Sequence, residues 1–111
     1  MKLRIGIIGC GRMGERHYLA YQKIPSVVVI GFADIDNNKS NHFAKKFRKK
    51  SFRLDEIIKD EQIDVIDVCS SNESHAENSI HALKKGKHVI VEKPMALKLK
   101  DCDKMILESK K

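Results

Sequence analysis

Three glycines near the start of the chain have the spacing of a phosphate-binding loop. Gly9, Gly11 and Gly14 form the pattern G-x-G-x-x-G directly after the aliphatic run Leu3–Ile8 and before a helical pattern. In such a loop the first glycine permits a tight turn, the second lets the backbone approach a pyrophosphate, and the third allows the helix to pack closely against the strand. Free N–H groups at the helix start favour the phosphate charge. The pattern predicts a dinucleotide site.

Two other phosphate-loop classes fit the same residues less well. A Walker loop needs Gly-Lys-Ser/Thr, and no such triplet follows the glycines. Methyltransferases prefer a tighter G-x-G-x-G, and Met13 occupies the place of that third glycine. The dinucleotide interpretation is therefore favoured.

A carboxylate follows the second aliphatic run at the distance expected for a ribose contact. Asp34 ends the run Val27–Ala33, 20 residues after Gly14. A carboxylate at this place accepts hydrogen bonds from ribose hydroxyls and repels a 2′-phosphate. The alternative is that Asp34 caps the next helix, although Asp36 and Asn37 stand closer to its start. The sequence predicts NAD as the cofactor and disfavours NADP.

Two later strands also end in polar residues. The run Val65–Cys69 is followed by residues 70–72, Ser-Ser-Asn, which either line a cofactor cleft or cap the next helix. The run His88–Val91 is followed by Glu92 and Lys93, whose charges are costly beside an apolar layer unless a polar partner meets them. A lysine next to a hydroxyl that is being oxidised stabilises the developing alkoxide. The alternative is an ordinary Glu–Lys surface pair.

Short aliphatic runs alternate with helical patterns along the whole chain. The predicted strands are Leu3–Ile8, Val27–Ala33, Ser51–Arg53, Val65–Cys69 and His88–Val91. The predicted helices begin near Met13, Asn37, Leu54, Ser74 and Leu99. Strands that are apolar on both faces and separated by helices indicate a parallel sheet with right-handed crossovers. We predict a doubly wound α/β (Rossmann) fold with strand order 3-2-1-4-5 and the ligand outside the carboxyl ends of the strands.

Two further predictions concern single side chains. Ser74 and Glu77 have the spacing of a capping box at the start of the fourth helix, which Gly86 is expected to end. His17 follows Met13 by one helical turn, so it either lines the cofactor cleft or packs as a hydrogen-bonded core histidine.

Composition limits the classes of protein that fit. At 111 residues the chain is expected to form one domain over 1–111, with the sixth strand and any second domain absent. The net charge is +7, and the lysine pairs suit either a polyanion surface or solvated helix ends; few aromatic residues disfavour nucleic acid. No apolar run is long enough to span a membrane, and three widely spaced cysteines favour a reducing cytoplasm.

Taken together, these residues resemble the N-terminal half of the Gfo/Idh/MocA oxidoreductases. The matching segments are GCGRMG at 9–14 with His17, then Asp34, then Asn72-x-x-His75, and finally GKHVIVEKP at 86–94. The resemblance covers essentially the whole chain. It implies a dinucleotide-binding domain followed by a larger, mostly antiparallel sheet domain, and reversible hydride transfer between NAD(P) and a hydroxyl carbon, usually of a sugar or polyol.

The resemblance also implies roles for individual residues. The implied cofactor-binding residues are Gly9, Gly11, Arg12, Met13, Gly14, Asp34, Ser70, Asn72, His75, Glu92 and Lys93. Among them Lys93 is implied to be catalytic by touching the substrate oxygen, and no metal is implied. The family usually has Thr-Pro-Asn where this chain has Ser70, Ser71 and Asn72, and losing the proline is expected to loosen that turn without removing a donor.

Two functional hypotheses follow. The main one is the NAD-binding half of a sugar- or polyol-type dehydrogenase, inactive or nearly so alone, because the family's other catalytic residues lie in the second domain. The alternative is a free-standing regulatory dinucleotide module, like the small Rossmann domains that gate potassium transport. The first hypothesis predicts an exposed apolar face for docking, and the second a polar surface. The substrate and the oligomeric state stay open, a homo-oligomer included.

Overall fold

Five strands alternate with helices along residues 2–91 and 99–111, which a computed structural model of the chain describes. The strands are β1 (Leu3–Ile8), β2 (Val27–Ala33), β3 (Lys50–Phe52), β4 (Val65–Val68) and β5 (His88–Val91). The helices are α1 (Arg12–Tyr21), α2 (Asn37–Phe47), α3 (Leu54–Lys59), α4 (His75–Lys84) and α5 (Leu99–Ser109). The predicted elements are confirmed, with β3 displaced by one residue and β4 one residue shorter.

The strands form a single parallel sheet in the order β3-β2-β1-β4-β5, as predicted. The strand order therefore reverses between β1 and β4, where Ile8 is paired with Val68. Chain segments that leave these two neighbouring strands must diverge, because one continues to α1 and the other to α4. This divergence opens a cleft at the carboxyl edge of the sheet.

Two apolar clusters cover opposite faces of the sheet. On one face, Tyr18 of α1 and Phe43 of α2 pack with Phe32 of β2, and the ring centroids of Phe32 lie 5.4 Å from those of both residues. On the other face, Ile57 of α3 and Ala82 of α4 pack with residues of β1 and β4. Both clusters are almost fully buried, so the sheet forms a rigid base for the segments at its carboxyl edge.

Among the described residues, other elements cover the edge strand β5 on one face only, which corrects the expectation from its aliphatic run that both faces are buried. Val89 and Val91 pack with the cluster of α3 and α4, whereas His88 and Ile90 are exposed, Ile90 by 44%. Alternation of this kind is typical of a strand with one covered face. The prediction was wrong because an aliphatic triplet does not reveal whether a helix covers each face.

The start of α4 also differs from the prediction. A 3₁₀ turn at Asn72–Ser74 precedes the helix, and Ser74 makes no capping hydrogen bond, so the predicted capping box is wrong. The Ser74 hydroxyl instead lies 2.7 Å from Ser70 Oγ and 2.9 Å from the carbonyl oxygen of Ser71. The predicted end of the helix is confirmed, because Gly86 has a φ of +79° and follows the last turn.

Within the described ranges, none of the helices combines the length and the apolar character that crossing a membrane requires.

Replacing Ser79 by alanine is expected to stabilise the chain. Ser79 in α4 is fully buried, and among the described residues its hydroxyl has no hydrogen-bond partner. Removing an unsatisfied buried hydroxyl relieves its desolvation cost and raises helix propensity, so the free energy of unfolding should rise by about 1 kcal/mol. Urea denaturation measures this difference.

Ser40 provides the matched control for Ser79. It is equally buried in α2, but its hydroxyl donates to the carbonyl oxygen of Asn37 at 3.1 Å and receives a hydrogen bond from Ser51. Ser40→Ala should therefore lower the free energy of unfolding, by about 1 kcal/mol. Equal losses from both substitutions would contradict the idea that the Ser79 hydroxyl is unsatisfied.

Candidate functional site

The cleft at the carboxyl edge of the sheet has a volume of about 500 Å³. Its walls are the glycine loop after β1, the end of β2 with the start of α2, and the segment that joins β4 to α4. A wider depression of about 680 Å³ lies at the opposite edge, around Leu3, Ser26 and Lys87, and contains none of the predicted site residues. The cleft is therefore the candidate ligand site.

The three loop positions have glycine for different structural reasons. Gly9 has a φ of +109°, and a Cβ there would lie 2.5 Å from the carbonyl group of Cys69. A Cβ on Gly14 would lie 2.0 Å from the carbonyl oxygen of Gly9. A Cβ on Gly11, in contrast, would meet no atom within 4 Å. The fold requires the first and third glycines, whereas the second leaves open space in the cleft, as the approach of a pyrophosphate requires.

Arg12 and Met13 follow Gly11 and also border the cleft. Gly11 is the N-cap residue of α1 and has no side chain to accept hydrogen bonds from the first turn of the helix. Polar N–H groups at the start of a helix attract an anion. The loop residues present thus suit a diphosphate without any rearrangement of the chain.

Asp34 is fixed at the end of β2 by two backbone groups. Its Oδ2 accepts a hydrogen bond from the N–H of Cys10 at 2.7 Å, and its Oδ1 accepts one from the N–H of Asp36 at 2.9 Å. The cap of α2 is Asp36, which accepts from the N–H of Asn38, so the capping alternative for Asp34 is excluded. Each oxygen of Asp34 keeps a second lone pair for a ligand hydroxyl.

Two neighbours of Asp34 complete this end of the cleft. Ile35 is 90% exposed and borders the cleft, as does Lys39 of α2. Neither residue was identified from the sequence, since a single isoleucine after a strand carries no recognisable signal. Burial, and secondarily the Asp34 charge, raises the pKa of the Cys10 thiol to about 12, so this thiol stays neutral at pH 7.

The segment after β4 forms the opposite wall. Ser70 and Ser71 border the cleft, whereas Asn72 is exposed and lies outside its lining. His75 is only 1% exposed and lies behind Ser70, with its Nε2 2.8 Å from the Ser70 carbonyl oxygen. The structure therefore brings Ser70 to the glycine loop and places His75 as its support.

Glu92 and Lys93 lie outside the described residues, and the roles predicted for them stay predictions. Val91, the last described residue before them, is paired with Val68 at the carboxyl end of β4. The last described position of β5 is thus level with the edge of the sheet that carries the cleft.

A buried carboxylate beside the cleft was missed by the sequence analysis. Asp67 of β4 is fully buried and accepts a hydrogen bond from the hydroxyl of Tyr21, with 2.6 Å between the oxygens. Its Oδ2 also lies 2.6 Å from His17 Nδ1. Burial, and then the Asp67 hydrogen bond, raises the pKa of Tyr21, which therefore remains a donor. The available signal was one acid in an otherwise apolar strand.

His17, Asp67 and Cys69 together offer three ligand types that bind metals, with Cys69 Sγ 3.2 Å from His17 Nδ1. Two ligand atoms around one tetrahedral zinc ion would lie about 3.3 Å apart, given bonds of about 2.0 Å. The 2.6 Å separation of His17 and Asp67 is instead that of a direct hydrogen bond. For His17 the structure thus supports the packed, hydrogen-bonded alternative.

A parallel sheet with this strand order, a glycine loop at its switch point and a carboxylate after the next strand define a dinucleotide-binding Rossmann domain. The model of the oxidoreductase family with an NAD-binding Rossmann fold, Gfo/Idh/MocA, matches residues 3–111. The chain belongs to this family and forms its NAD-binding domain.

Individual relatives show how much of the family's protein the chain represents. It is 36% identical over 111 residues to a myo-inositol 2-dehydrogenase of Thermotoga maritima, covering 98% of this chain and 33% of that protein. It is 38% identical over 103 residues to a glucose-6-phosphate 3-dehydrogenase of Bacillus subtilis, covering 92% and 29%. The chain thus spans about a third of the length of these relatives.

Solved structures agree with this extent. An NAD-binding protein from Listeria innocua superposes with a TM-score of 0.92 at 30% identity, covering 99% of this chain and 33% of that one. A probable dehydrogenase from Thermotoga maritima superposes with a TM-score of 0.90 at 34% identity, covering 97% and 33%.

Proposed function

We propose that this chain is the cofactor-binding part of an NAD-dependent dehydrogenase that oxidises or reduces a hydroxyl carbon of a sugar or polyol. The observation that carries the proposal is the cleft, in which open space lies over Gly11 and the carboxylate of Asp34 is fixed beside the loop by the N–H of Cys10. The substrate class is supported by the relatives named for inositol and glucose 6-phosphate.

The described residues divide the cleft into an adenosine end and a phosphate segment. The lone pairs that Asp34 keeps suit the two hydroxyls of a ribose, and the exposed side chain of Ile35 offers apolar surface to an adenine ring. Gly9, Gly11 and the start of α1 suit the diphosphate. Ser70 then lies where the cleft continues past the loop.

We place the reactive end of the cofactor beside Glu92 and Lys93, following the family resemblance. Bound NAD supplies the hydride acceptor. The role assigned to Lys93 is to stabilise the negative charge that develops on the substrate oxygen and to help move its proton. Asn72 and His75 are assigned to the same end, His75 through the Ser70 carbonyl group that it supports.

We propose that the chain alone is inactive or nearly so, because a second domain supplies the substrate pocket in the longer protein. The exposed side chain of Ile90 on β5 supports this proposal, since exposed apolar surface is suited to docking. We also propose a cytoplasmic location, and the three free cysteines support it.

Substituting Lys93 tests its assigned place without an activity assay. An ammonium group beside the nicotinamide ring repels the positive charge of NAD⁺ but not the neutral ring of NADH. Two unit charges about 4 Å apart repel each other by about 1 kcal/mol in water. Lys93→Ala should therefore improve the binding of NAD⁺ relative to NADH by about 5-fold. Calorimetric titration of the chain with each cofactor measures the two dissociation constants.

Lys100→Ala is the matched control, because Lys100 is an exposed residue of α5 and should leave the ratio unchanged. Sedimentation in the presence of NADH adds the second readout. If NADH drives dimerisation and Lys93→Ala leaves the ratio unaltered, the regulatory-module alternative is correct and the dehydrogenase proposal is not.

A further inference from the structure

Ser70 is held by three side chains that follow it in sequence. Asn78 donates from Nδ2 to Ser70 Oγ at 3.0 Å, and Ser74 Oγ lies 2.7 Å from the same atom. His75 Nε2 lies 2.8 Å from the Ser70 carbonyl oxygen. The hydroxyl and the carbonyl group of Ser70 are therefore fixed by residues of α4 or of the turn before it.

The position of Ser70 sets the width of the cleft. A Cβ on Gly9 would lie 2.6 Å from the Ser70 amide nitrogen, so the glycine loop and the Ser70 segment are in direct backbone contact. Any movement of Ser70 shifts one wall relative to the other. Ser74 and Asn78 also border the cleft, which places the supporting hydrogen bonds at its wall.

Burying the polar side chain of Asn78 costs free energy, and its hydrogen bond to Ser70 offsets this cost. The residue is only 8% exposed, on the buried side of an amphipathic helix where an apolar residue would pack at lower cost. A buried amide is retained without penalty only when it is hydrogen-bonded. Its described partner is Ser70, and this points to a role in holding the cleft wall.

The backbone of Ser71 has a conformation that a proline would also adopt. Ser71 has φ −58° and ψ 152°, the conformation that a proline imposes on its own residue. Its N–H donates no hydrogen bond to another described residue. The backbone at position 71 therefore suits a proline, which would stiffen the turn but remove the 3.2 Å contact between the hydroxyls of Ser71 and Ser74.

We propose that Asn78 and Ser74 are positioning residues for the cofactor: they hold Ser70 against the glycine loop and supply the rigidity that a proline at position 71 would otherwise provide. This inference rests on the proposed function of the cleft. A flexible wall must be ordered when the ligand binds, and each ordered group weakens binding by about 3- to 10-fold.

The test is a cycle of substitutions read out as the dissociation constant of NADH. Asn78→Ala should raise this constant about 5-fold, and Ser71→Pro in the same chain should restore most of the loss. Ser71→Pro should therefore restore more NADH affinity in the Asn78→Ala chain than it adds to the wild-type chain. Ser74→Ala provides a second, less buried route to the same loss and should also be rescued by the proline.

A control separates positioning from general stability. Ser79→Ala, which stabilises α4 without touching Ser70, should raise the melting temperature of the Asn78→Ala chain but not restore its NADH affinity. Restoration by Ser79→Ala as well as by Ser71→Pro would overturn the inference. So would unchanged affinity in both Asn78→Ala and Ser74→Ala, with the proposed function left standing. Failure of the folded wild-type chain to bind NADH would overturn both.

Discussion

Gly11→Val is expected to abolish NADH binding, with a loss of at least about 100-fold, while the chain stays folded. The Gly11 backbone has φ −113° and ψ −154°, an extended conformation that suits a β-branched residue, and a Cβ there meets no protein atom within 4 Å. The valine methyl groups would instead occupy the space assigned to the pyrophosphate. Calorimetric titration gives the affinity, and urea denaturation should show a change of no more than about 1 kcal/mol.

Gly14→Ala is the matched comparison, because it is expected to destabilise the fold, whereas Gly11→Val should block only the cofactor. Its Cβ would lie 2.0 Å from the carbonyl oxygen of Gly9, a clash that only a backbone shift can relieve. We expect a loss of about 3 kcal/mol or more in the free energy of unfolding, whether or not the cofactor is present.

NADH affinity that survived Gly11→Val would mean that the cofactor does not pass over this loop.

The strand order could be predicted from the sequence because each step depended on a local signal. Aliphatic runs such as Val27–Ala33 can hardly be anything other than strands, and the glycine pattern fixes which strand carries the loop. Which faces of β5 are packed against other elements could not be predicted in this way. Whether Ile90 is buried depends on what packs over its face, which is a property of the tertiary structure.

The candidate site also contains residues that the sequence identified and residues that only the fold revealed. Gly11 and Asp34 were identifiable because backbone approach and ribose binding require particular residues at particular spacings. Asp67 was not, since its partners His17 and Tyr21 are 50 and 46 residues away in sequence. Ser74 was misassigned because a hydroxyl at the start of a helix can bond forward to the helix or backward to the preceding turn, and only the fold decides.

We expect the choice between NAD and NADP to depend on the charge of Asp34. Its carboxylate is held rigidly by the N–H groups of Cys10 and Asp36, so it cannot turn away from a 2′-phosphate. Lys39 borders the same end of the cleft and would attract that phosphate. The two side chains therefore oppose each other, and the fixed carboxylate is expected to prevail in the native chain.

Asp34→Asn should shift the preference toward NADPH by about 100-fold, measured as the ratio of the two dissociation constants. The substitution keeps the shape of the side chain but replaces one acceptor oxygen by an NH2 group, so one of the hydrogen bonds from Cys10 and Asp36 is lost. It also removes the repulsion of the 2′-phosphate and weakens the hydrogen bonds to the ribose, and the last two effects together amount to about 2.7 kcal/mol. Lys39→Ala in the Asp34→Asn chain should reverse part of the gain in NADPH affinity. Asp36→Ala is the control: Asp36 caps α2, so its loss should cost about 1 kcal/mol of stability and leave the ratio unchanged. A ratio that stayed constant in Asp34→Asn would show that the ribose lies elsewhere, because no other carboxylate borders that end of the cleft among the residues described.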